Sequence, residues 1–96
     1  MQRNRKSMKI ELELFGASRD FSDKEYLEFN IQNKISIKEL REKIITYIDT
    51  NFSGNENFKK IIENSAFCSE DNNIISDNYK ITKDQKIGII PPIGGG

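Results

Sequence analysis

Residues Ser36-Ile37-Lys38-Glu39 constrain this chain most, because they start a helix and the residues after them set which way it faces. A serine at the N-cap accepts from the amide three residues on, while a glutamate at that position reaches back to the serine amide. Ile37, Leu40, Ile44, Ile45 and Ile48 then recur at helical spacing, with Lys38, Arg41, Glu42 and Asp49 predicted to face water. A helix with a single apolar stripe needs a flat apolar surface to cover. Asn51 to Asn57, polar and containing Gly54, ends it, and the spacing of Phe58, Ile61 and Ile62 predicts a second, short helix from about Glu56 to Asn64.

The flanking segments supply that surface. Met8 to Phe15 alternates, with Ile10, Leu12 and Leu14 on one face and Glu11 and Glu13 on the other. Gly16 to Ser22 breaks the pattern as a loop. Lys24 to Ile31 resumes it, setting Leu27, Phe29 and Ile31 against Tyr26, Glu28 and Asn30, so the two strands form a predicted hairpin. Beyond the helices, Ala66 to Ser69 and Ile74-Ile75 flank the turn Glu70-Asp71-Asn72-Asn73. Asp77 to Asp84 is expected as a loop with Tyr79 and Ile81 tucked inward, and Lys86 to Ile90 as the final strand.

A hairpin, a crossover helix and further strands completing one mixed sheet describe an α+β chain of the β-grasp, or ubiquitin-like, architecture. Its first and last strands should lie centrally and in parallel. The expected core draws on Ile10, Leu12, Leu14, Leu27, Phe29, Leu40, Ile44, Ile48, Phe67, Ile87 and Ile89.

Composition limits what such a domain can do. At 96 residues it is one domain, expected as a disordered arm over 1–7, a β-grasp body over 8–90 and a flexible tail over 91–96. Lysine plus arginine equals aspartate plus glutamate, 15 each, so no global field draws the chain to nucleic acid or to an anionic membrane. The one cysteine, Cys68, has no internal disulfide partner and no Cys/His set to hold a metal with, and is expected as a small buried hydrophobe. A metal-free chain in the cytoplasm is the expectation. Histidine is absent, which removes the usual general base.

The sequence closes on Pro91-Pro92-Ile93-Gly94-Gly95-Gly96. Two prolines remove two backbone donors and end a strand, and the glycines, having no Cβ, make a segment thin enough to thread a narrow channel. A carboxylate at the tip is the group that can react.

These residues resemble the ubiquitin-like sulfur carriers, most closely the small subunit of molybdopterin synthase. The resemblance runs from about Lys9 to Gly96. It rests on Leu14-Phe15-Gly16-Ala17-Ser18-Arg19-Asp20, on Ile37 to Arg41, and on Ile87-Gly88-Ile89-Ile90 followed by Pro91-Pro92-Ile93-Gly94-Gly95-Gly96. The triple glycine and the asparagine-rich Asn51 to Asn64 depart from the family pattern. The resemblance implies that a ubiquitin-activating-enzyme-like adenylyltransferase, using ATP and magnesium, adenylates Gly96. Sulfur from a donor protein then makes a thiocarboxylate, which the molybdopterin synthase large subunit consumes in building the dithiolene.

The resemblance further implies a non-catalytic, sulfur-donating subunit that binds no cofactor itself. Gly94 and Gly95 would thread both partners' channels, and Phe15, Arg19, Ile74, Ile90, Pro91 and Pro92 would form the partner-binding surface. Other readings stay open at this point: a ubiquitin-like modifier joined through Gly96 to lysines, a thiamin-pathway sulfur carrier, or a non-covalent β-grasp module.

Overall fold

The computed structural model describes residues 7–92. Strand β1 (Met8–Leu14) pairs antiparallel with β2 (Tyr26–Ile31), setting Ile10 opposite Phe29 and Leu12 opposite Leu27. Strand β3 (Ile35–Ser36) leads into α1 (Ile37–Asn51), and α2 (Glu56–Asn64) follows. Four strands complete the chain: β4 (Ala66–Cys68), β5 (Ile74–Ile75), β6 (Lys80–Ile81) and β7 (Gln85–Ile90). The main sheet has the order β2-β1-β7-β4-β5, with β1 and β7 parallel at its centre, and α1 packs on one face. This is the mixed α+β arrangement expected of a β-grasp.

Alternation along the strands places Ile10, Leu12, Leu14, Leu27, Phe67, Ile87 and Ile89 on the helix side, all buried. Four of the five isoleucine and leucine residues of the α1 stripe, Ile37, Leu40, Ile44 and Ile48, are fully buried against them, and Ile45 and Phe29 are half-buried at the margin. The capping box forms: the Glu39 amide donates to Ser36 Oγ at 3.1 Å, and the Ser36 amide donates to Glu39 Oε1 at 2.8 Å. Helix α1 stops where Ser53 (φ 54°) and Gly54 (φ 68°) turn left-handed, a conformation that glycine takes without steric cost.

Three expectations need correction. Gly16 to Ser22 is not a plain loop: Gly16–Phe21 forms a 3-10 helix that buries Phe21 completely. The Phe21 ring sits 5.1 Å from that of Phe58, and its carbonyl accepts from Tyr47 Oη at 2.8 Å, so the segment is bolted to both helices. Within Asp77 to Asp84, Lys80–Ile81 pairs with Ile35–Ser36 as a separate two-stranded sheet; Ile81 is buried as expected, but Tyr79 is exposed and donates to Gln85. Arg41 does not face water: it donates from Nη1 to the carbonyls of Ile62 (2.7 Å) and Ser65 (2.9 Å) and pairs with Asp77 at 2.7 Å.

Candidate functional site

The face of the sheet turned away from the helices carries the site. Because β1 and β7 are parallel and β4 and β5 antiparallel to their neighbours, Glu13, Gly88, Cys68 and Ile74 fall in one cross-strand row. Ile90, two residues beyond Gly88, lies on the same face opposite Ala66. At the end of β1, Phe15 folds its ring back over Gly88: a Cβ built there would stand 3.2 Å from Phe15 Cε2 and 2.7 Å from Cys68 Sγ.

Phe15, Ile74 and Ile90 are 48%, 66% and 38% exposed, three of the four large exposed hydrophobic residues among those described. They form an apolar patch on a floor of Gly88, Ala66 and the buried Cys68. Beside it lies a depression rimmed by Glu13, Glu70 and Lys86. Glu70 accepts from the Lys86 amide at 2.8 Å, satisfying a donor of β7 beyond the end of the β4 pairing. An apolar centre with a charged rim is the composition of a protein-binding surface.

The predicted residues do not all gather there. Arg19 sits on the 3-10 helix, exposed, and is engaged with Glu25 at 3.7 Å. Pro91 and Pro92 are half-buried and lie on the helix side of the strand end, where Pro91 Cγ comes within 3.8 Å of a Cβ built on Gly16. Gly94, Gly95 and Gly96 lie outside the described residues, as do residues 1–6 of the expected arm.

The sequence reading missed Gly88 as the residue that shapes the patch. Its signal was present: a glycine inside a strand pattern marks a close approach of other atoms, and its parity with Ile90 puts it on the outer face. Cys68 is buried as expected, on the outer rather than the core side of β4. Among the described residues, no group of three or more His, Cys, Asp or Glu could hold a metal, and no helix is long and apolar enough to cross a membrane. No family model matches the chain, and no curated protein matches it significantly.

Proposed function

We propose that this chain is a ubiquitin-like sulfur carrier that acts in the cytoplasm as the small subunit of a molybdopterin synthase. The observation that supports this reading is the position of Phe15, Ile74 and Ile90 on one sheet face, at the end of the central strand that runs directly into Pro91-Pro92 and the glycines. A partner docked on that patch has the tail within reach. The parallel pairing of β7 with β1, and its antiparallel pairing with β4, give the tail a rigid root.

The chemistry follows from the weakness of a carboxylate as an electrophile. A Gly96 carboxylate oxygen attacks the α-phosphorus of ATP held by the adenylyltransferase, and pyrophosphate leaves. A persulfide of the sulfur-donor protein displaces AMP, and a thiol cleaves the resulting acyl disulfide to release the thiocarboxylate. This chain contributes the reacting group, the side-chain-free Gly94 and Gly95 that pass through the channels, and the docking surface. Its partners, including the large synthase subunit, contribute the catalytic residues.

The test is a mass measurement. The full chain is incubated with ATP, magnesium, a ubiquitin-activating-enzyme-like adenylyltransferase and a persulfide donor, and the C-terminal peptide is weighed. Exchange of one oxygen for sulfur at Gly96 is expected, and deletion of Gly96 should abolish it without changing thermal unfolding. An unchanged terminal peptide removes the carrier reading, and lysine conjugates would replace it with a protein modifier.

A further inference from the structure

The sheet-face patch is too small to hold an enzyme by itself. Three partly exposed side chains offer on the order of a few hundred Å², whereas a stable interface covers about 800 Å² on each partner. A partner must reach further, and an adjoining concave surface lies on the other side of the tail root.

That surface is a groove between α2 and the proline pair. Ile61, Pro91 and Pro92, all half-buried, and the exposed Ala17 supply its apolar part. Asn57, Lys60 and Asn64 form its polar edge. Asn57, Lys60, Ile61 and Asn64 are spaced as one helical face, next to the Phe58 and Ile62 side that packs inward, and Ile61, at the boundary of the two, also packs against the core. The groove stays open because the prolines lack the N–H groups that would continue sheet pairing, so the chain leaves β7 alongside α2.

Among the described residues lining the groove, Lys60 is the one that carries a charge. Its neighbour Lys59 is paired with Asp49 at 2.7 Å, but Lys60 takes part in none of the ion pairs among the described residues. An ammonium at the edge of an apolar groove, with no ion-pair partner among the described residues, is complementary to a carboxylate next to an apolar side chain.

We infer that the groove between α2 and Pro91-Pro92 receives an apolar side chain and an adjoining carboxylate of the adenylyltransferase, which therefore grips the tail root from both sides of the sheet. This rests on the carrier reading and adds to it a second contact surface with a defined chemistry. Pro91 and Pro92, the tail's own root, line the groove, so an enzyme that takes up the residues following them works beside it.

The test uses the full-length chain with the same adenylyltransferase, saturating persulfide donor and thiol, with the KM for this protein and the kcat measured by ATP-dependent pyrophosphate release. Lys60→Glu, an exposed substitution, should raise KM by roughly tenfold at low salt with kcat unchanged, and the difference should shrink as ionic strength rises. Ile61→Ser should also raise KM, with unfolding monitored in parallel. Lys83→Glu, just before the start of β7 and so at the opposite end of that strand from the prolines, is the control for net charge. Wild-type KM in both groove variants, or an equal rise in Lys83→Glu, overturns the groove while leaving the carrier reading standing. Absence of turnover with the wild-type chain overturns both.

Discussion

Gly88 is the residue on which the outer face turns. A methyl group there meets Cys68 Sγ at 2.7 Å and the Phe15 ring at 3.2 Å, and the sulfur is anchored on a buried strand. Gly88→Ala should destabilise the domain by about 1–3 kcal/mol through overpacking. Adding Cys68→Ala should restore part of that loss, giving a non-additive double-mutant cycle in denaturant unfolding. Additive effects would mean that the two side chains do not share the space. Ile90 lies two residues on and behaves differently, because it is already partly in water. Ile90→Asp should weaken adenylyltransferase binding, since a charge there must be buried in the complex without a partner, with unfolding followed in parallel because the side chain is partly buried on β7. Unchanged affinity, measured by calorimetric titration, would take Ile90 out of the interface.

At the scale of elements, the two helices are held by different means. Helix α1 is capped locally by Ser36 and Glu39. The hydrogen bond that Glu39 accepts from the Ser36 amide holds its carboxyl below the ordinary value, so the carboxylate form is favoured in the folded state. The resulting stability is present above the unfolded carboxyl's pKa and is lost as pH falls through the lowered folded value. Glu39→Gln keeps a capping acceptor but cannot ionise. Its stability difference from the wild type should therefore narrow as pH drops below the carboxylate range, read from urea midpoints; a gap independent of pH would remove the charge from the cap. Helix α2 depends on a distant residue, with Arg41 closing the carbonyls of Ile62 and Ser65 at its C-terminal end and stacking 4.7 Å from the Phe67 ring. Arg41→Ala should cost about 1.5–3 kcal/mol, because hydrogen bonds to a charged donor are lost. Hydrogen exchange should rise first at the end of α2 and in β4, and uniform loss of protection would contradict a local role.

At the scale of the molecule, Leu40 reports on the one core. It is fully buried beneath the sheet, so Leu40→Ala should cost about 2–5 kcal/mol by chemical denaturation, and a smaller loss would mean the site collapses around the gap. Most of this architecture was legible in the sequence. Strand alternation, the capping box and the apolar stripe of α1 are set by neighbours within a few residues, and the hairpin and the central parallel pair follow from them. The second helix, from Glu56 to Asn64, was legible for the same reason. What escaped were contacts between residues far apart in the chain: the burial of Phe21 under Phe58, the pairing of Ile35–Ser36 with Lys80–Ile81, and the turn of Arg41 away from solvent. A charged residue on the polar side of a helix looks solvated until another helix ends beside it, and no local spacing reports that.

The sequence by itself determined the order of elements, the inward faces of the strands and main helix, and the run of prolines and glycines that follows the last strand, because each is written in periods of two or about 3.6 residues or in residue types with restricted backbones. Only the tertiary structure decided which exposed side chains share a surface. Strand register brought Phe15, Gly88, Ile74 and Ile90 together, left Arg19 with Glu25, and set α2 beside Pro91-Pro92. The physical reason is that register and helix docking are settled by burial of the whole apolar face at once, and the outer face inherits whatever neighbours that burial imposes.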